Sequence, residues 1–286
     1  MSYIYYFLII NLLAFVLCGL DKWFSIKKYF RISEYILLFI CFLGGCFAFL
    51  IGMYVFHHKT KSIRFKFLIP LIIILWLIIF GVYIYQLFFP KYYLASDFKI
   101  NLITSDIDYN QNGIDDYTDI LLGAKKEAKR HPKYKSSYYS GGYPPLDEGV
   151  CTDLVWRSIE NAGYSLKDMI DLDIKENTYL YPRVENNPDP NIDFRRVKNL
   201  KVFFDRYLES YTLDIYDIKQ WMPGDIVIFG ENYTHIAIIS DKRNKKGIPF
   251  IIHNAGQIKF EENTFERWYK NSKVVGHYRF SLKEVI

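Results

Sequence analysis

The hydrophobic pattern divides the chain in two. Before residue 90 it is nearly continuous: Tyr3–Leu20, Tyr35–Phe56 and Phe67–Phe89 contain no charged residue. Each run is long enough to cross roughly 30 Å of hydrocarbon, so three transmembrane helices are expected. A signal peptide is the alternative for the first run. It lacks a basic start and a small-residue cleavage site, and two more spans follow. Gly44, Gly45 and Gly52 would let another helix come close to the second span.

After residue 90 the pattern becomes periodic. Cys151, Leu154, Val155, Ser158, Ile159 and Ala162 recur at helical spacing, and Gly163 stands where a left-handed C-terminal cap is expected. Ile120–Arg130, Leu166–Glu176 and Asn199–Tyr211 read as further helices. Beyond Pro223-Gly224 the runs shorten and become β-branched or aromatic. Asp225–Phe229, Thr234–Ser240, Pro249–Asn254 and Val274–Phe280 are expected as four antiparallel strands. The fold class is α+β, helices packed on an antiparallel sheet, preceded by three transmembrane helices. The boundaries are 1–90 for the membrane part, 91–119 for a linker and 120–286 for the folded domain.

Charge sharpens the division. The net charge of +5 belongs to the membrane part, while residues 91–286 are close to neutral, with no electrostatic footprint for nucleic acid. The Lys and Arg residues on the two sides of the membrane nearly balance, with a slight lean toward a cytoplasmic C-terminus. Cys18, Cys41 and Cys46 lie in the apolar runs and Cys151 is alone in the soluble part, so neither a disulfide framework nor a C-x-x-C metal motif exists there.

The linker carries Asp108-Tyr109-Asn110-Gln111-Asn112-Gly113-Ile114-Asp115-Asp116-Tyr117-Thr118-Asp119. Asp108, Asn110, Asn112, Asp116 and Asp119 stand at the oxygen-ligand positions of a twelve-residue calcium loop. Ile114 is at the backbone-carbonyl position and Gly113 at the sharp turn. Asp115 replaces the usual aliphatic residue, and Asp119 is shorter than the usual Glu. The alternative is a polar loop that caps the helix beginning near Tyr117. Calcium here would be structural; no cofactor is expected for catalysis.

Chemistry concentrates at Cys151. In the first turn of a helix a thiol feels the positive end of the dipole, which favours the thiolate; the alternative is a buried core cysteine. Two histidines bear on the choice. With Asp241–Gly247 as a polar turn and Ser240 opposite Ile248, His235 falls opposite His253 on one face of the sheet. A thiol with two imidazoles has three readings: a satisfied core, a Cys/His/His zinc site, or a nucleophile with a base and an orienting residue. Tyr181 and Asp153 are candidates for a substrate cleft. Arg195 and Arg196, with Asp193, could hold a substrate carboxylate or one another.

Two family resemblances add to this. Asp21-Lys22, Arg31-Ile32-Ser33-Glu34, Gly44-Gly45, Gly52-Met53 and His58-Lys59-Thr60 make residues 18–85 resemble the membrane family called domain of unknown function 1294, which implies no chemistry. Pairing of Asp21, Lys22, Arg31 and Glu34 at helix ends, and solvated His57 and His58, are the expectations there. Gly149-Val150-Cys151-Thr152-Asp153, Tyr181-Pro182, Asn191-Ile192-Asp193-Phe194-Arg195-Arg196-Val197, Asn199-Leu200, Pro223-Gly224-Asp225-Ile226-Val227, His235-Ile236, His253-Asn254 and Gly276-His277-Tyr278-Arg279 resemble the domain of unknown function 1287 family. Phe194 and Lys198 depart from that family's usual His and Pro. The order of Cys, Pro-Gly-Asp strand, His and His is similar to the NlpC/P60 papain-like cell-wall peptidases.

That resemblance implies a papain-like domain in which Cys151 attacks an amide of the peptidoglycan stem peptide. His235 would be its base and His253 the orienting residue, with Asn254 the alternative third member. Such a substrate requires the domain outside the cytoplasmic membrane of a bacterium, against the slight lean of the charges. The membrane lipid and stem peptides are then the expected partners. The rival reading is a non-catalytic wall-binding or assembly module. His277 is read as structural.

Overall fold

The computed structural model describes residues 2–88, 91–185 and 187–281. The chain forms two compact units, Met1–Lys91 and Tyr92–Ile286. Three helices of the first unit are long and apolar enough to cross a membrane: Ile4–Lys27, Glu34–Val55 and Ile63–Gln86. Phe89 and Pro90, where the sequence ends the third span, lie outside the described residues.

The first helix is α1 (Ser2–Lys27) and the last of this unit is α4 (Ile63–Phe88). The middle span is broken. It consists of α2 (Glu34–Ile40), a π-helical turn Cys41–Gly45 and α3 (Cys46–Val55), with Gly44 at φ +112°. A break inside hydrocarbon strands backbone carbonyls, and each needs a partner. The partners are side chains of the other two helices: Trp76 Nε1 donates to Phe42 O at 3.0 Å, Tyr6 to Leu43 O at 2.9 Å and Asn11 to Gly44 O at 3.0 Å. Gly45 permits the close approach, since a Cβ there would lie 2.6 Å from Ala14 Cβ.

Of the residues expected to pair, Asp21 and Glu34 do so with the loop after α3 and the start of α4 rather than with Lys22 and Arg31, which donate to His57 O and Ser25 Oγ. Asp21 is fully buried and meets His58 Nε2 at 2.7 Å and Lys59 at 3.8 Å; Glu34 takes Lys59 at 2.7 Å and Arg64 at 3.4 Å. The expectation that His58 is solvated is therefore corrected: it is buried against a carboxylate 37 positions away, a partner that local sequence does not show.

The second unit is α+β. Its helices are α5 (Asp116–Arg130), α6 (Cys151–Asn161), α7 (Leu166–Asn177), α8 (Val197–Tyr207) and α9 (Phe265–Ser272). Lys133–Tyr134 (β1) and Glu148–Gly149 (β2) form a short parallel pair. The main sheet contains β3 (Glu209–Ser210), β4 (Ile226–Phe229), β5 (His235–Arg243), β6 (Pro249–Ile252), β7 (Glu261–Glu262) and β8 (Val274–Arg279). It is antiparallel, in the order β3-β8-β4-β5-β6-β7. Ile226, Ile228, Ile236, Ile238 and Ile252 pack beneath α5 and α6; Val227, Phe229, Ala237, Ile239 and Ile251 pack on the other face with Trp221 and Phe265. Gly163 takes the expected left-handed conformation after α6, at φ +94°.

One register differs from expectation. Ile238 pairs with Ile252 and Ile239 with Ile251, two residues out of the register that puts His235 opposite His253. The polar run Asp241–Arg243 is not a turn but the end of β5. Arg243 is buried and donates to the carbonyls of Ile218, Gly247 and Trp221, so the turn tightens to Asn244–Gly247. A slip of two preserves the face on which each side chain stands.

Candidate active site

Cys151 opens α6. Val150 N–H donates to Asp153 Oδ2 at 2.8 Å and closes the first turn. The expected stripe is buried, but so is the rest of Cys151–Ile159, which makes α6 a central helix. Its charges are accordingly paired. Asp153 accepts Arg195 Nε and Nη2 at 2.7 and 2.8 Å and Trp156 Nε1 at 2.9 Å. Arg157 meets Glu127 at 3.0 Å.

Burial pushes the Cys151 thiol up to about 11, and the Asp153 charge adds to this. Backbone N–H groups of Ile236, Thr152 and Cys151 point at the sulfur and pull the other way. The helix start therefore does favour the thiolate, but desolvation outweighs it, and at rest the group is a neutral thiol.

His235 and His253 meet as a pair. Their Nε2 and Nδ1 atoms are 2.9 Å apart, with the rings at 82°. They stand diagonally, not directly opposite, on the face that looks toward α9, where His235 lies flat on Trp268 at 4.4 Å and 11°. Burial brings His235 down to about 4 and His253 to about 3, so both rings are neutral at pH 7. Sulfur and imidazole reach the same end of β5 from its two faces, the sulfur on the Ile236 N–H and the ring from the first residue of the strand. Among the described residues no hydrogen bond joins the sulfur to either imidazole. Because His235 Nε2 faces His253, Nδ1 is the nitrogen left outside the pair.

His235 Nε2 and His253 Nδ1 lie at hydrogen-bond distance, 2.9 Å, and face each other rather than a common ligand. Among the described residues no three His, Cys, Asp or Glu side chains are grouped to hold a metal. Asn254 is committed elsewhere: its amide donates to Pro132 O at 3.3 Å and Gly149 O at 3.1 Å, tying the strand end to the segment before α6.

The four substrate candidates separate. Tyr181 is buried and its hydroxyl donates to Asp173. Asp153 and Arg195 hold each other, and Arg195 also reaches Ser137 O at 2.9 Å, so this pair fixes α6 to the loop before it. Arg196 is half-buried beside Arg183; burial and that like charge hold its guanidinium below the usual arginine range. Among the described residues no hydrogen bond or ion pair engages it.

The Asp108–Asp119 loop closes on itself. Asp108 accepts the N–H groups of Asn112 and Gly113 at 3.1 and 2.8 Å, and Asn112 Oδ1 accepts that of Ile114 at 2.8 Å. Asp119 Oδ2 accepts both Asn110 and Asn112 amides at 2.8 Å. Asp116 turns away, accepting the Tyr164 hydroxyl at 2.6 Å and Tyr109 N–H at 2.9 Å. Asp115 caps α5 through Tyr117 and Thr118 N–H. The Asp115 bonds cap α5, and those of Asp108 and Asn112 shape the turn at Gly113.

Two residues that matter here were not singled out from sequence. Trp268, on α9, covers the histidine pair. Tyr134 lines a groove of about 450 Å³ with His131, Pro132, Lys133, Gly256, Gln257 and Phe260. Burial raises its hydroxyl, and the charges of Cys151 and Asp153 add to this. Its signal was compositional: it belongs to the Tyr-rich loop 131–148 ahead of α6, the kind of loop that lines clefts.

Three membrane-crossing helices followed by this α+β unit define a membrane-associated protein. Residues 121–280 match the family described as Domain of unknown function (DUF1287), and the chain belongs to that family. Residues 11–65 match the family described as Protein of unknown function (DUF1294). The chain is 33% identical over 156 residues to "Uncharacterized protein YijF" of Escherichia coli (strain K12), covering 53% of this chain and 74% of that one. It is 36% identical over 78 residues to "Uncharacterized protein YsdA" of Bacillus subtilis (strain 168), covering 27% of this chain and 88% of that one. No solved structure matches the chain.

Proposed function

We propose that the protein is a membrane-anchored cysteine hydrolase that cleaves peptide amides of the bacterial cell wall, with a papain-like domain of the NlpC/P60 kind. The observation that supports it most is the histidine pair covered by Trp268 at the end of β5 whose Ile236 N–H reaches the Cys151 sulfur. The step to activity is an analogy of arrangement.

The chemistry begins from neutral partners. His235 Nδ1 takes the thiol proton as the Cys151 sulfur bonds to the amide carbon. The N–H groups at the start of α6 hold the resulting oxyanion. The C–N bond then breaks, the amine leaves with the proton from His235, and water hydrolyses the thioester. Tyr134 lines the leaving or acyl side of the groove. Arg196, whose guanidinium makes no hydrogen bond or close ion pair among the described residues, receives a substrate carboxylate.

Cys151→Ala in the full-length protein should abolish amide cleavage of purified peptidoglycan and leave the thermal unfolding midpoint in place. Cleavage at the unaltered rate would remove Cys151 as the nucleophile, and absence of cleavage by the unaltered protein would favour the wall-binding module. The substrate also requires the C-terminal unit outside the membrane, which a C-terminal reporter fusion reads directly.

A further inference from the structure

The histidine pair has an unfinished end. His253 Nε2 is buried and has no hydrogen-bond partner. The polar side chain nearest to it is Glu262, whose Oε2 lies 3.9 Å away. Their placement follows from the sheet: Ile251 pairs with Glu262 across β6 and β7, so Glu262 stands on the same face as Ile251 and His253, one diagonal from the imidazole. On the other side, Trp268 stands edge-on to His253 at 5.6 Å and 87°, and its own Nε1 is also buried without a partner. Glu262 is largely covered, with 18% of its side chain exposed, and Arg267 is 3.9 Å from the same carboxylate oxygen. A shift of about 1 Å brings the carboxylate to hydrogen-bond distance.

Resting on the hydrolase reading, we infer that Glu262 is a positioning residue that accepts the Nε2 proton of His253 and so sets the tautomer of both rings. The consequence runs along the chain of nitrogens. With its proton on Nε2, His253 presents a lone pair at Nδ1. His235 must then carry its own proton on Nε2 and donate it to that lone pair. This leaves His235 Nδ1 unprotonated, the state in which it can accept a proton from Cys151. In the opposite tautomer His235 Nδ1 carries a proton and is no base. No bond is made or broken by Glu262; it selects which nitrogen is free.

The test uses the full-length protein in detergent with ¹⁵N-labelled histidine. At pH 7 His253 should be protonated on Nε2 and not on Nδ1, and Glu262→Ala should turn this into a mixture of tautomers. Glu262→Gln keeps an acceptor oxygen of the same shape and should retain the single tautomer. In peptidoglycan cleavage, Glu262→Ala should lower kcat about 10-fold with KM unchanged, and Glu262→Gln should recover most of the loss. His253 protonated on Nδ1, or a tautomer indifferent to Glu262→Ala, overturns the inference. The tautomer is read without turnover, so an inactive enzyme with the expected tautomer would defeat the hydrolase reading alone.

Discussion

His277 and His235 stand on the same face of one sheet, and each lies flat on an indole. His277 stacks on Trp221 at 3.6 Å and 6°, His235 on Trp268 at 4.4 Å and 11°. Around His277 every polar valence is met. Nδ1 bonds Thr212 O at 2.8 Å and Nε2 bonds Asp225 at 2.9 Å, while Asp225 also takes two bonds from Arg279 and the Met222 N–H. Around His235 the chain of bonds stops at His253 Nε2, which has no partner. A buried polar group that is fully paired contributes to the fold; one left open costs stability, and beside a second imidazole it is a candidate for chemistry. The membrane unit supports the same rule, because its broken span and its buried Asp21 are both satisfied from within.

The sharpest way to break this contrast is to open the closed site. Asp225→Ala leaves Arg279 and His277 buried without their carboxylate. It should cost about 3–5 kcal/mol of stability, measured by urea unfolding, with activity lost only as the protein unfolds. His253→Ala should do the reverse: a loss of about 1–3 kcal/mol from the unpaired His235 Nε2, but a fall of roughly 10²–10⁴ in kcat. If both variants change stability and turnover in the same proportion, the two histidine sites are alike and the contrast is gone.

Acid should separate the sites next. The folded state holds His235 at about 4 and His253 at about 3, against the ordinary imidazole value of 6.5. Below pH 6.5 the unfolded chain therefore binds more protons than the folded one, and stability falls as pH drops from 6.5 toward 4. For His235 alone the loss amounts to about 3 kcal/mol. Unfolding midpoints across that window should flatten in the double variant His235→Gln/His253→Gln. By contrast, kcat/KM should be level from pH 6 to pH 9, because neither the thiol nor the imidazole titrates there. A bell centred near neutrality would mean a preformed thiolate–imidazolium pair.

Local spacing made much of this legible. The α6 stripe, the cap at Gly163, four strands and the shared face of His235 and His253 all follow from periods that need no tertiary information. What was hidden is long-range or disguised by polarity. Glu261-Glu262 does not look like a strand, yet it pairs with β6. Asp241–Arg243 looks like a turn because the carbonyls that bury Arg243 lie elsewhere in the chain. Gly44 and Gly45 signalled close packing, but nothing in hydropathy shows that the span breaks there, since Tyr6, Asn11 and Trp76 satisfy it from other helices. Burial of Cys151 was one of two readings of the stripe; that it outweighs the helix start was hidden, because it depends on the whole core closing over that turn.

The smallest effect is expected at Tyr134, a residue 47% exposed along the groove. No hydrogen bond of its hydroxyl holds the described fold together, so Tyr134→Phe should leave the unfolding midpoint within about 0.5 kcal/mol of the original. If the hydroxyl donates to the oxyanion, kcat/KM should fall about 10-fold, the worth of one exposed charge-assisted hydrogen bond at about 1.4 kcal/mol. If it only lines the groove, KM should rise and kcat should hold. Steady-state cleavage of a soluble stem peptide separates the two. A variant unchanged in both constants would place Tyr134 outside the path of the substrate, and the groove it lines would cease to be the cleft.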